Sequence, residues 1–575
     1  MSVEEKKIES CPTDTETLWQ FATHTSDAYH DFTPKEAAAI REALLTWYRS
    51  NRRKLPWRGD AGPFDGSTAG IASGNGKGKK KKADTKQKDI QSFFTKTSKG
   101  TKKDVKSEEK PESSGEEIIP VTGYSVWVSE IMLQQTRVEA VIPFYLKWMK
   151  SFPTVADLAN ATEEEVNAHW AGLGFYRRAR LLHSGAKYVV DELDSKVPET
   201  VDELLKVSGI GRYTASAISS IAYNKCVPVV DGNVCRVISR LKGVANNIKA
   251  PIFKDKIGWR LAEQIVQAGD GLHAGEVNQA LMELGATYCA PSGTGIDEND
   301  PLKEFYISTK IGREACDIVK QTGSLAIDDY VSRAVDARGK VACALCQPDG
   351  IDSILFQLSD DLQLAKKDGL TNDDASIIGH QAFPIAPPKK AKREEVLGVA
   401  ALYSSIENGD KKWFMVKRPK DGLLAGQWEF PSALVWSSAD DKGKKTKKDS
   451  AVPKIDRKTL DKQTRTLLLD IQKNTTDFQF WDDSLSLDLV NETPMEHIFS
   501  HVRWSMHCHV SDLSTSNPVI SSAYEQTYTN KSNGCECRWM TEGEMQGVGI
   551  TSSVRKVLAM VKKAKISSNG KKRKR

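Results

Sequence analysis

From residue 33 onward, apolar side chains recur at helical spacing, and the polar residues around them mark where helices start and stop. Thr33 can cap a helix, Pro34 suits its first position, and Glu36 completes a capping box. Ala38, Ile40, Leu44, Leu45, Trp47 and Tyr48 line one face, and the run ends at Leu55-Pro56-Trp57-Arg58. The pattern vanishes between Gly59 and about Pro120, where Gly, Lys, Ser and Thr dominate. Such a stretch buries too little apolar surface to offset the entropy of ordering it, which predicts a disordered insert. Helical spacing returns from Tyr124 to about Asp360, and a second linker covers about Lys366 to Lys392. From Val396 the apolar runs shorten to β-rich strings such as VLGVAALY and KWFMVKR, interrupted by the polar loop SSADDKGKKTKKDS.

These changes predict a disordered N-terminus (1–32), a mainly helical core (33–58 and 121–360) split by the insert (59–120), a linker (361–395), an α/β domain (396–561) and a basic tail (562–575). No internal repeat is visible, and no apolar run approaches the roughly 20 residues a membrane helix needs. The polar start MSVEEKKIESCPTDTE matches neither a secretory nor a mitochondrial leader, so an intracellular protein is expected. The net charge of +6 is unevenly spread. Gly74 to Lys110 holds 13 lysines against 5 acids, and Met560 to Arg575 holds 8 Lys/Arg and no acid. The remainder is net negative, so any nucleic-acid contact must rest on a local basic surface and oriented amides. Ten cysteines in so long a chain read as candidate metal ligands before disulfides.

Three places carry candidate chemistry. In VWVSEIMLQQTRV, Glu130 has Val126, Trp127 and Leu133 as its helical neighbours, a setting that desolvates a carboxyl and suits a general acid; a rim ion pair is the plainer role. In LLKVSGIGRYTASAI, the turn Ser208-Gly209-Ile210-Gly211 leads into a helix and can point its N–H groups at a phosphate. In CVPVVDGNVCRVISR, Asp231 precedes a new helix, where capping is the common duty of an aspartate.

Together, SEIMLQQT, WAGLGFYRRAR, the glycine turn and VVDGNVCRV resemble the helix-hairpin-helix DNA glycosylases, and specifically the MutY family. The resemblance implies a helix-hairpin-helix core with a C-terminal α/β Nudix-like domain, and removal of adenine mispaired with 8-oxoguanine or guanine in double-stranded DNA. It implies Glu130 as the acid that protonates departing adenine, Asp231 as the carboxylate that stabilises the oxocarbenium-like sugar, and Tyr213 and Asn233 as supporting polar groups. Gln135 resembles a wedge for the gap left by a flipped base, Phe175 stands where the family usually has a tyrosine, and Arg58 resembles an adenine-pocket residue. Lyase members carry a lysine at the place of Tyr213, and a phenol cannot form their Schiff base, so a monofunctional enzyme is implied. An endonuclease III-type lyase and a catalytically dead adaptor are the rival readings.

The family normally holds a [4Fe–4S] cluster on four cysteines. Cys289 resembles the first ligand, and Cys343 and Cys346 follow only after an insertion. The fourth place holds Asp352, with Cys316 as a substitute; a lost cluster or a zinc ion on these cysteines stays open. EEVLGVAALYSS and DGLLAGQWEFP resemble the Nudix-like domain, yet the acid set of a Nudix hydrolase is missing, which implies a binding module. Phe499, Ser500 and His501 resemble its 8-oxoguanine-reading turn. Read without the resemblance, His497, His501, His507 and His509 suggest a metal site, but alternate histidines on a half-buried strand are more often structural; Cys535 and Cys537 are unassigned. Gln87, Ile90, Phe93 and Phe94 match a motif for the PCNA sliding clamp. Lys79 to Lys82 and Lys571 to Arg575 predict a nuclear address, and a monomer is expected.

Overall fold

The computed structural model describes residues 16–64, 118–322, 332–334, 336–337, 343–366, 369–387, 392–406, 410–419, 422–439, 453, 455–475, 481, 485–499, 501–514 and 526–572. Most of the predicted insert, including the clamp motif at 87–94, lies outside them, as do Ser500 and the loop at 440–450. Contacts divide the chain into two units: one of residues 1–121 and 226–385, the other of residues 122–225 and 386–575.

The first unit is helical. The Pro34–Asn51 helix forms as its pattern predicts: Pro34 opens it, and Thr33 Oγ1 accepts the Glu36 N–H at 3.2 Å. The capping box is not closed, because the Glu36 carboxylate accepts from Lys242 Nζ at 3.1 Å, a buried partner that outcompetes its own N-terminus. Ile40, Leu44, Trp47 and Tyr48 face a core shared with the Gly232–Lys242 and Ala274–Ala286 helices.

Two boundaries differ from expectation. The N-terminus is ordered from the Glu16–Thr23 helix, which buries Leu18, Phe21 and Ala22. Its apolar residues pack against segments some 300 positions away, a contact invisible to local pattern. The Asn372–Ala382 helix falls inside the predicted linker, capped by Thr371 and Asp374. It packs on the Ile307–Thr322 helix through facing glycines: a Cβ at Gly312 would lie 2.9 Å from Gly379 Cα. Small residues at a tight crossing leave no large apolar stripe to read.

Among the described residues, the second unit joins the helices between Gly123 and Tyr223 to a nine-stranded mixed sheet. The strands are β1 (Arg393–Ser405), β2 (Lys411–Lys417), β3 (Trp428–Glu429), β4 (Ser432–Ser437), β5 (Asp488–Leu489), β6 (Met495–Ile498), β7 (Val502–Asp512), β8 (Thr527–Thr529) and β9 (Glu536–Thr541). The order runs β5-β7-β1-β2-β9-β8, with β3 beside β2, β4 beside β1 and β6 beside β7. β1 and β7 pair in parallel, from Arg393 opposite Val502 to Tyr403 opposite Asp512. Their near-continuous burial explains the unbroken apolar run of VLGVAALY. The Arg457–Thr475 and Ser552–Lys572 helices complete this part, the latter continuing past the predicted boundary at 561.

Candidate functional site

In the second unit, the Gly123–Leu133 helix is buried on all sides except at Leu133, and Glu130 is 6% exposed. Its carboxylate is met by Tyr213, in the first turn of the Arg212–Tyr223 helix, whose Oη donates to Glu130 Oε2 at 2.7 Å. That helix begins at the glycine turn. Gly209 has φ +85°, and a Cβ there would lie 2.8 Å from Leu181 Cβ, so only glycine fits. Gly211 is the N-cap and has no side chain to accept from the first turn, while Ser208 is exposed and Ile210 is buried.

In the first unit, Asp231 does cap its helix: Oδ1 accepts the N–H groups of Asn233 and Val234, both at 2.8 Å. The other oxygen, Oδ2, accepts from Asn233 Nδ2 at 2.9 Å. Burial raises the Asp231 pKa, and these donors oppose the rise by favouring the anion. Arg236, which the sequence reading missed, fixes Asn233 by donating to its Oδ1 at 2.8 Å while bonding the carbonyls of Gly285 and Cys289. Its signal was available: it lies one turn beyond Asn233 on the same helix. Gly285 must be small, since a Cβ would lie 2.6 Å from Asn233 Cβ.

Arg58 is held inward in the same unit. It donates to Glu283 Oε2 at 2.9 Å and lies 5.3 Å over the Tyr48 ring. Arg53 takes the same carboxylate at 2.6 and 3.0 Å. Burial alone would raise the Glu283 pKa, but the two guanidinium groups bring it down to about 2.

Gln135 and Phe175, the expected intruders into a base stack, both lie in the second unit and are exposed. Both have left-handed backbone, φ 57° and 50°. Such angles are uncommon for residues with a side chain and often mark functional tips.

The predicted metal residues separate. Cys343 and Cys346 come together, with His24 and His30 as companions; all four are buried and their donor atoms lie within 4.8 Å of one another. Cys346 Sγ is 3.7 Å from His24 Nε2 and 3.5 Å from His30 Nε2. Contacts with Cys346, His24 and His30 lower the Cys343 pKa against the opposing effect of burial, and Cys343 Sγ also lies 3.2 Å from Asp27 Oδ1. Cys289 is not part of this group. Its sulfur lies 3.3 Å from Arg240 Nη1 and 3.9 Å from His380 Nε2, and burial raises its pKa. Cys316 is buried on the Ile307–Thr322 helix, and Asp352 sits in the first turn of the Gly350–Lys366 helix; neither joins the four. The histidines were legible only as a His-x5-His pair in a segment taken for disordered.

In the sheet domain, Phe499 and His501 flank the turn between β6 and β7, with Phe499 N–H donating to Val502 O at 2.8 Å. The Phe499 ring packs 4.7 Å from that of Trp504, and His501 is exposed.

Residues 128–261 match the family described as HhH-GPD superfamily base excision DNA repair protein, and residues 402–560 match the NUDIX domain. An adenine DNA glycosylase of Schizosaccharomyces pombe is 30% identical over 416 residues, covering 72% of this chain and 72% of that protein. One from Rattus norvegicus is 29% identical over 532 residues, covering 92% of this chain and 79% of its own length. One from Arabidopsis thaliana is 32% identical, covering 71% of this chain and 50% of its own length.

Proposed function

Because this chain belongs to the adenine DNA glycosylase family and is a DNA N-glycosylase, we propose that Glu130 and Asp231 act on one extruded adenosine opposite 8-oxoguanine or guanine. The carrying observation is the hydrogen bond from Tyr213 to Glu130. A phenol there can orient the acid but offers no amine to attack the sugar. Protonated Glu130 gives its proton to the leaving adenine as the N-glycosidic bond breaks. Anionic Asp231, steadied by Asn233 and two helix amides, faces the positive sugar. Water then adds to the sugar carbon and returns a proton to Glu130, leaving an abasic site.

The remaining residues supply recognition. The turn Ser208-Gly209-Ile210-Gly211 binds a backbone phosphate through amides other than that of Ile210, which already donates to Val207 O at 3.1 Å. Gln135 fills the vacated stack, Phe175 enters the neighbouring step, and Arg58 lines the adenine pocket. Phe499, Ser500 and His501 read 8-oxoguanine; the motif at Gln87, Ile90, Phe93 and Phe94 binds the PCNA clamp; the basic tracts direct a monomer to the nucleus.

The buried His/Cys group fits a metal. A tetrahedral zinc ion, with bonds of about 2.3 Å to sulfur and about 2.0 Å to nitrogen, sets S and N donors roughly 3.5 Å apart. The Cys346–histidine separations of 3.7 and 3.5 Å agree. A [4Fe–4S] cluster, the other reading, binds one ligand per iron and spreads its donors over the breadth of the cluster. Four donors within 4.8 Å, with Cys289 elsewhere, fit it poorly. The ion would join the N-terminus to residues 343–346; no chemical step is assigned to it.

The test is single-turnover base release from duplexes with adenine opposite 8-oxoguanine or guanine. Wild type releases adenine and leaves no borohydride-trapped adduct. Glu130→Gln slows release on the order of 10²–10⁴-fold. Full activity in that variant removes Glu130 as the acid, a trapped adduct supports the lyase, and no release at all supports the adaptor.

A further inference from the structure

The two exposed tips at Gln135 and Phe175 share one buried anchor. The Gly123–Leu133 helix ends at Gln134, and its last carbonyls have no partner within the helix. Arg178, 9% exposed, supplies them: Nη1 donates to Ile131 O and Met132 O at 2.9 Å each, and to Gln134 O at 2.5 Å. Its other arm, Nη2, reaches Thr136 Oγ1 at 3.3 Å, Leu173 O at 3.3 Å and Gly174 O at 3.1 Å. One guanidinium therefore spans both sides of Gln135 and the turn leading into Phe175. It also lies 5.4 Å from the Phe175 ring centroid and 5.2 Å from that of Trp170. Among the described residues no acid pairs with it, and burial lowers its pKa to about 10. The helix-end carbonyl dipoles take the place of a carboxylate.

We propose that Arg178 is the positioning residue that locks the Gln135 and Phe175 tips into a single rigid wedge, so that both enter the DNA stack together. Each tip sits in the left-handed backbone region that side-chain-bearing residues seldom adopt, so each needs an outside hold. The grip comes from the two terminal nitrogens of a planar fork, which carry four N–H groups aimed to two sides, whereas a lysine ammonium has three donors on one atom. The carbonyl ladder is therefore specific to arginine. Arg178 touches neither the departing base nor the sugar in this account; it acts through the tips.

The inference rests on the reading that Gln135 and Phe175 intrude into the stack, and the experiment separates the two. Duplexes carry adenine opposite 8-oxoguanine with 2-aminopurine as the neighbouring base, whose fluorescence rises on unstacking. Stopped-flow traces are recorded for wild type, Arg178→Lys, Arg178→Gln, Gln135→Ala and Phe175→Ala, at a temperature where circular dichroism shows all of them folded. Affinity for a duplex that already contains an abasic-site analogue is measured in parallel. The expected result is a loss of unstacking rate on the order of 10- to 100-fold in both Arg178 variants, with the analogue bound within about threefold of wild type. Phe175→Ala combined with Arg178→Lys should be no slower than the slower single variant, because both break one device. Wild-type unstacking in the Arg178 variants, with loss in Gln135→Ala and Phe175→Ala, overturns the anchor alone. Equal weakening of analogue binding and unstacking also overturns it, since that marks a general structural role. Wild-type unstacking in both tip variants overturns the intrusion reading and the anchor with it.

Discussion

Replacing Glu283 by glutamine removes the one carboxylate shared by Arg53 and Arg58. Glu283 is 1% exposed, and the side chains of Arg53 and Arg58 are 6% and 9% exposed, so solvent screens these pairs little. Burial opposes ionisation, yet the two cations bring the carboxyl from 4.5 to about 2. At about 1.4 kcal/mol for each pH unit between those values, the ionised group contributes about 3 kcal/mol at neutral pH. The native pKa lies below the unfolded one. The contribution is therefore complete above 4.5 and is lost as pH falls through 2. Urea unfolding of wild type and Glu283→Gln, followed by circular dichroism, checks this. The variant should be about 3 kcal/mol less stable at pH 7, with roughly half that gap at pH 3. A gap below about 1 kcal/mol at pH 7, or one unchanged between the two pH values, would mean that the ionised Glu283 does not stabilise the fold through its two arginines.

Three further outcomes follow from the same structure. Purified protein should carry one zinc per chain and no iron or sulfide, with zinc lost in Cys346→Ala; four irons and four sulfides per chain by elemental analysis would favour the cluster. Burial lowers the pKa of His497 and of His509 to about 4, and neither ring nitrogen of His509 has a hydrogen-bond partner. Each contributes up to about 3 kcal/mol that is present above pH 6.5 and lost as pH falls toward 4. The thermal midpoint of the sheet domain should drop across that window, and less steeply in His509→Leu. Tyr213→Phe should slow single-turnover release by roughly tenfold while leaving duplex affinity unchanged.

Local chemistry explains what was legible beforehand. The glycine turn could be read because a left-handed residue pressed against Leu181 admits only glycine. The Pro34–Asn51 helix could be read from its cap and apolar face. The sheet domain showed itself because β1 is buried along nearly its whole length. What escaped was set by partners distant in sequence. His24 and His30 gain meaning only beside Cys343 and Cys346, more than 300 residues away. Glu283 looks like any helical glutamate until Arg53 and Arg58 arrive. The Asn372–Ala382 helix hid because glycine against glycine leaves no hydrophobic stripe. Cys289 matched a ligand by its neighbours in sequence, but in space those neighbours deliver it to Arg240.

On the proposed mechanism, the side chains at positions 130 and 231 bracket one flipped nucleotide. A crystal structure of Asp231→Asn bound to a duplex with adenine opposite 8-oxoguanine tests it directly. The expected structure has adenine outside the stack, with the Glu130 carboxyl within hydrogen-bond reach of its imidazole nitrogen and the residue 231 side chain against the sugar. Adenine still stacked in the duplex, or extruded into a pocket that lacks either residue, would contradict it.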